Sequence, residues 1–137
     1  MILLDTSVLV GSFTGQQQSG PRLIGLLNRG ERLLVPTLVI YEWLRGPRIP
    51  EELELQERLF PAEAAIDFGV KEAALAAKLY RQVRKARYRE IDIAIAACAI
   101  THEAALWTLN RDDFKDIPGL ALADPPSQIR LDVRPRK

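Results

Sequence analysis

Short apolar runs alternate along the chain with stretches whose apolar side chains recur every three or four residues, the pattern of a parallel α/β fold. Ile2 to Leu4 is an apolar run broken by Asp5-Thr6-Ser7, which predicts a strand entering a helix. Pro21, Leu23, Ile24, Leu26 and Leu27 repeat at helical spacing over residues 20–29 and stop near Gly30. Leu33 to Val35 predicts a second strand, followed by a helix that Thr37 can cap and Gly46-Pro47 closes. Pro50 starts a further helix to about Phe60, acidic along Glu51, Glu52, Glu54 and Glu57. Ala64 to Phe68 is a candidate third strand, and residues 70–87 predict one long Ala-rich helix with a basic second half. Another helix covers 90–103, Leu106 to Leu109 predicts a strand, and Leu120 to Ala123 is a last short candidate. No internal repeat, low-complexity segment or long linker divides the chain, so the expected organisation is one domain over 1–124 and a basic tail over 125–137.

Composition narrows the function classes more than it selects one. With 137 residues, 47% of them hydrophobic and 27% charged, the chain is long enough for one sizeable core. Its net charge of +1 makes any attraction to nucleic acid a matter of local clustering. One cysteine, Cys98, excludes a disulfide within the chain, and with one histidine it excludes a zinc-finger type of site. The opening residues lack the basic stretch of a signal peptide, and no apolar segment is long enough to span a bilayer. A cytoplasmic location is the expectation.

The informative residues are acids in apolar company. Asp92 is the one polar side chain between Ile91 and Ile100, in a helix apolar nearly all round. Burying an unpaired carboxylate is costly, so a metal, a basic partner or the helix N-terminus must compensate it. Asp5 follows a strand directly. It is either an ordinary helix cap or a carboxylate at the carboxyl end of a parallel strand, where such sheets place ligands. Glu42 lies in the apolar helix Leu38 to Leu44, with Arg45 three residues on as the simple ion-pair partner. Asn110, Asp112 and Asp113 follow a strand, where polar residues are commonly just a turn. In a parallel sheet, however, the groups that follow the strands gather along one edge. Several carboxylates sharing a cleft repel one another unless a divalent cation neutralises them. Hard oxygen donors suit Mg²⁺ or Mn²⁺, and such a site supports metal-activated water attacking a phosphodiester.

Four segments resemble the PIN-domain ribonuclease family, in its VapC-type toxin branch. They are Ile2-Leu3-Leu4-Asp5-Thr6-Ser7-Val8-Leu9, Val39-Ile40-Tyr41-Glu42-Trp43-Leu44-Arg45-Gly46, Asp92-Ile93-Ala94-Ile95-Ala96-Ala97-Cys98-Ala99 and Leu106-Trp107-Thr108-Leu109-Asn110-Arg111-Asp112-Asp113-Phe114. They fall in the family's order and spacing from residue 1 to about 122. The resemblance implies a three-layer α/β/α fold with a central parallel sheet flanked by helices, and an Mg²⁺-dependent endoribonuclease for which Mn²⁺ can substitute. By position, Asp5 and Asp92 would be the principal metal ligands, and Glu42 would hold or deprotonate metal-bound water. Thr6 would support Asp5 by hydrogen bonding. Asp113 would complete the acidic set, with Asn110 in a polar supporting role and Asp112 an extra acid without a role. The alternatives within the family are a catalytically inactive RNA- or protein-binding module, against which the full acidic set argues, and a non-toxin housekeeping nuclease. Aspartyl phosphatases want a second Asp where Ser7 stands, and phospho-receivers want paired acids after the first strand; both fit poorly.

Lys78, Arg81, Arg84, Lys85, Arg87 and Arg89 form a basic run leading to Asp92. It is either a solvated helix face or a rail for RNA phosphates. Arg130, Arg134, Arg136 and Lys137 in the tail either add to that rail or merely solubilise. The toxin branch further implies a homodimer and a cognate antitoxin whose C-terminal segment crosses the helices near the site, often with a basic residue. Trp43 and the helices over residues 20–60 are candidates for that groove, and Trp43 reads equally well as core.

Overall fold

The computed structural model describes residues 1–15 and 19–125. Three short strands form a parallel sheet in the order β2-β1-β3: β1 (Ile2–Leu4), β2 (Leu33–Leu34) and β3 (Ala105–Trp107). Register is set by Ile2 opposite Leu33 on one side, and by Ile2, Leu3 and Leu4 opposite Ala105, Leu106 and Trp107 on the other. A single parallel bridge widens each edge, Pro36 to Ile66 beyond β2 and Leu106 to Leu122 beyond β3.

Among the described residues, six helices connect the strands: α1 (Thr6–Phe13), α2 (Gly20–Asn28), α3 (Thr37–Arg45), α4 (Pro50–Leu59), α5 (Val70–Gln82) and α6 (Glu90–Thr101). Right-handed crossovers decide their sides. From β1 through β2 to Ile66 the chain steps one way across the sheet, which puts α1 to α4 on one face. From Ile66 to β3 it steps back, which puts α5 and α6 on the other. The packing agrees in the main: α1 contacts α2, α3 and α4, and α5 contacts α6, while the two layers also meet where α3 touches α6. The result is the expected three-layer arrangement. Leu3, Leu4, Val8, Leu9, Trp43, Ile95, Leu106 and Trp107 fill its core, together with the whole run Ile93 to Ala99 on α6. Cys98 lies in that run; burial pushes its thiol up to about 12 and leaves it inert at neutral pH.

Several sequence expectations overran. Thr37 does not cap α3; Pro36 holds the cap position and Thr37 is the first helical residue. The strand expected over Ala64 to Phe68 shrinks to Ile66, whose N–H donates to the Val35 carbonyl (3.0 Å) and whose carbonyl accepts from Thr37 (2.8 Å). A 3₁₀ turn, Ala62–Ala64, occupies the residues before it. The helix expected to Arg87 ends at Gln82, because Val83 turns extended (φ −80°, ψ 134°), and Lys85 at φ 54° keeps the chain from resuming it. Leu120 to Ala123 contributes one bridge, and β3 stops at Trp107, freeing Thr108 and Leu109 for other bonds. Apart from Pro125, the basic tail falls outside the described residues.

Candidate active site

β1 is the point where the strand order reverses, and parallel sheets bind ligands at the carboxyl ends of strands flanking such a reversal. Asp5 leaves β1 there, its N–H donating to the Trp107 carbonyl at the end of β3 (3.0 Å). Asp5 occupies the cap position of α1, yet its carboxylate makes no capping bond. It is 4% exposed, and its Oδ2 accepts from Ser7 Oγ (2.9 Å) and Thr108 Oγ1 (2.8 Å). The same two hydroxyls accept from backbone, Ser7 from Leu109 N–H (2.9 Å) and Thr108 from Asn110 N–H (3.0 Å). Each hydroxyl has one proton, so accepting from the backbone aims that proton at Asp5. Gly11 makes the close approach possible: a Cβ there would lie 2.8 Å from Leu109 Cδ1.

This arrangement corrects one expected role and adds two residues. Thr6 does not support Asp5. As the first residue of α1 its hydroxyl donates a short hydrogen bond to Glu42 Oε1 instead. Ser7 and Thr108 do what was expected of Thr6. Replacing Thr108 by Val removes a donor from a buried carboxylate and strands the Asn110 N–H. The unfolding free energy is expected to fall by about 1.5–3 kcal/mol, read by urea denaturation, with Thr108→Ser restoring most of it.

Asp5, Thr6, Ser7, Glu42, Arg45, Asp92 and Asn110 line one cleft of about 430 Å³. Glu42 is half-buried in the second turn of α3, and its Oε2 meets Arg45 at 3.5 Å, so the simple ion pair exists inside the cleft. Arg45 lies over the Tyr41 ring at 5.0 Å and donates to the Tyr41 hydroxyl (3.3 Å). Asp92 sits in the first turn of α6, where the helix dipole favours an anion. Its carboxyl is nevertheless pushed up to about 6, first by burial and then by the charges of Asp5, Asp113 and Glu42, with Arg89 partly offsetting them. Three acids far apart in sequence therefore share one cleft and feel one another's charge.

Asp113, expected to complete the acidic set, does not line that cleft. It ends the 3₁₀ turn Arg111–Asp113 and borders a separate hollow of about 500 Å³ with Arg84, Lys85, Arg89, Asp112 and Asp116. Its charge still reaches Asp92. Asp112 is taken up by Lys115 at 3.1 Å. The basic run divides likewise. Arg89 is a strut: its guanidinium grips both Asp116 oxygens (2.7 and 3.0 Å) and the Asp113 carbonyl (2.8 Å), which raises its own proton affinity and holds Asp116 below the carboxylate range. Arg84 and Lys85 open onto the hollow, whereas Arg81 borders an apolar groove with Phe68, Tyr80 and Ile93. Arg87 is exposed over the Tyr88 ring. Trp43 is fully buried, edge-on to Phe13 at 5.8 Å and beneath the Arg48 guanidinium, so it belongs to the core.

The donor chemistry of the cleft fits a hard divalent cation. Its acids supply oxygen alone, and no hydrogen-bond donor among the described residues meets the Asp92 carboxylate. Among the described residues, no three Asp, Glu, His or Cys side chains are gathered into a ready coordination shell. Unneutralised carboxylates repel, and here two of the three have competing contacts: Ser7 and Thr108 on Asp5, Thr6 and Arg45 on Glu42.

Fold and cleft define a parallel α/β domain with an acidic site at the sheet's reversal point. The sequence profile of the PIN domain matches residues 2–120. Ribonuclease VapC19 of Mycobacterium tuberculosis is 32% identical over 122 residues, covering 88% of this chain and 97% of that protein. Ribonuclease VapC of Rickettsia bellii is 28% identical, covering 91% of this chain and 96% of that protein. The solved structure of DNA-bound VapBC from Salmonella typhimurium superposes with a TM-score of 0.71 at 21% identity, over 90% of this chain and 96% of that one. This chain belongs to the PIN-domain family, in its VapC-type branch.

Proposed function

We propose that this chain is an Mg²⁺-dependent endoribonuclease, with Mn²⁺ a working substitute, and that it is the toxin of a toxin–antitoxin pair restrained by a cognate antitoxin. The observation that carries the reading is the meeting of Asp5, Glu42 and Asp92 on one cleft, with the proton affinity of Asp92 raised by burial and then by the other acids. The ribonuclease names of the M. tuberculosis and R. bellii relatives support the reaction class, and membership of the VapC-type branch supports the toxin role.

In this reading Asp5 and Asp92 hold the ion, with Glu42 and Asp113 completing its surroundings. When bound, the ion would supply Lewis acidity to the phosphoryl oxygen and a more acidic water. The rest falls to the chain. Ser7 and Thr108 keep Asp5 in one orientation. Thr6 fixes one oxygen of Glu42, which accepts the proton of the attacking water. Asn110 offers an amide at the cleft mouth. Arg45, the cationic side chain on the cleft wall, meets a phosphate of the RNA and offsets the repulsion between substrate and acids. Arg84 and Lys85 extend that attraction past Asp113, while Arg89 shapes the surface through its strut.

Two apolar surfaces suit the protein partners of the proposal. A hollow of about 200 Å³ bordered by Leu27, Leu34, Leu59 and Phe60 overlaps the 20–60 region expected to receive the antitoxin and continues to Pro61 and Ala65. The groove of Phe68, Ala76, Tyr80 and Ile93 on α5 and α6 would be covered in a homodimer. No described helix is long and apolar enough to cross a membrane.

The deciding experiment pairs purified protein with cells. Purified protein is expected to cut single-stranded RNA, and induction of the gene in bacteria is expected to arrest growth until an adjacent short gene is co-expressed. Active enzyme without arrest would favour a housekeeping nuclease. RNA retained but never cut under any divalent ion would favour a binding module.

A further inference from the structure

We propose that the loop joining α5 to α6, residues 83–89, is a platform for unpaired RNA bases, with Tyr88 as the stacking surface and Arg84 and Lys85 as phosphate contacts. The proposal rests on the ribonuclease reading and names the form of RNA that this site takes.

Tyr88 is 83% exposed, so its ring contributes almost nothing to the core. It stands at φ 70°, a conformation that bulky residues rarely adopt, and Lys85 at φ 54° does the same three residues earlier. Unfavourable backbone in two places of one loop, with no packing gained by the tyrosine, points to a surface use of the ring. The loop is nonetheless firmly built. Val83 and Ala86 are buried anchors, the Tyr88 N–H donates to Glu90 Oε2 (3.3 Å), and the Arg89 N–H donates to the Ala86 carbonyl (2.9 Å). The Arg89 guanidinium also reaches the Arg84 carbonyl (3.4 Å). A ring held outward on a fixed support loses little freedom when a base stacks on it. Arg87 stands over one face of the ring with its guanidinium 4.9 Å from the centroid, so a base would stack on the opposite face.

The loop is also tied to the acidic cleft. Arg89, the neighbour of Tyr88, holds the Asp113 carbonyl, and Asp113 is one of the charges felt by Asp92. Arg84 and Lys85 line the hollow that includes Asp113. The same loop thus presents two cations on that hollow and an outward ring. A duplex keeps its bases stacked on one another and would engage only the cations, whereas an unpaired strand can offer a base to Tyr88.

The test measures binding in chelator, so that nothing is cut, using fluorescein-labelled oligouridylate and a duplex RNA of equal phosphate count. Tyr88→Ala and Tyr88→Gly are expected to weaken oligouridylate binding about five- to a hundredfold and to leave duplex binding unchanged. Tyr88→Trp and Tyr88→Phe keep it. The glycine variant also relieves the backbone, so it should be at least as stable as the parent while binding worse. Lys85→Ala is expected to reduce the salt dependence of oligouridylate binding by about 0.7 in slope. Unchanged affinity in the alanine variant, an equal loss for strand and duplex, or a change in self-association alone would each overturn the proposal. Cleavage in Mg²⁺ is scored separately: a parent that binds oligouridylate through Tyr88 but cuts no RNA retains the platform and loses the ribonuclease reading.

Discussion

Asp92→Asn is expected to abolish RNA cleavage and, in the same protein, to raise its thermal midpoint. The two effects share one cause. Asp92 carries a charge that the metal-free fold opposes, through burial and through Asp5, Asp113 and Glu42. An aspartate titrates near 3.9 in an unfolded chain, and in this fold at about 6. Between those values the folded protein holds the proton more tightly than the unfolded one. Stability therefore falls as pH rises through that window, and above about pH 6 the full penalty stands. Asp92 is only half-buried, so after allowance for screening the penalty is about 1–2 kcal/mol. Asparagine keeps the shape and drops the charge, which should lift the midpoint by roughly 4–8 °C at neutral pH and flatten its change between pH 4 and 6. Cleavage should fall at least about a hundredfold, since charge stabilisation by a held metal is worth several kcal/mol. Calorimetry in chelator across that pH range, beside a cleavage assay, reads both. A variant that cuts RNA at the parental rate would remove Asp92 from the reaction. A midpoint that does not move would remove it from the shared acidic field.

How much of this was legible in the sequence depends on how each residue announces itself. Asp92 and Asp5 were conspicuous because an acid among aliphatic neighbours demands an explanation, and the topology brings both to the cleft. Glu42 carried two readings, and both describe it: it lines the cleft and it pairs with Arg45. Ser7 and Thr108 were passed over because a hydroxyl beside a strand end is common, and only the strand pairing of β1 with β3 aims both at Asp5. Arg45 reads in sequence simply as the ion-pair partner of Glu42, and its place on the cleft wall depends on where α3 packs. The fourth acid is ambiguous in sequence because Asp112 and Asp113 are adjacent; both border the hollow with Arg84 and Lys85, and of the two Asp113 is the one whose charge acts on Asp92. The basic run looked uniform in sequence, but the break of α5 at Gln82 splits it into a strut, two cations on a hollow and one on an apolar groove. Helical spacing continued past that break because Val83 and Ala86 keep an apolar rhythm into a loop, where they are anchors.

Addition of Mg²⁺ or Mn²⁺, without RNA, is expected to stabilise the parent protein and not Asp92→Asn. The carboxylates of the cleft repel one another, and two of them already have neutral or cationic neighbours, Thr6 and Arg45 on Glu42 and Ser7 and Thr108 on Asp5. A divalent charge reverses that balance, because attraction to each acid replaces repulsion between them. Binding to the folded state alone stabilises it by about 2.7 kcal/mol when the ion is at a hundred times its dissociation constant. The proton on Asp92 competes for the same oxygens, so the gain should shrink as pH falls below about 6. Chelator should remove the gain and the cleavage together, while potassium at equal ionic strength should produce neither. RNA cleavage that survives chelation would separate the acids from a metal role and leave them as proton carriers alone. Stabilisation that persists in Asp92→Asn would move the ion away from Asp92, toward Asp5 and Glu42.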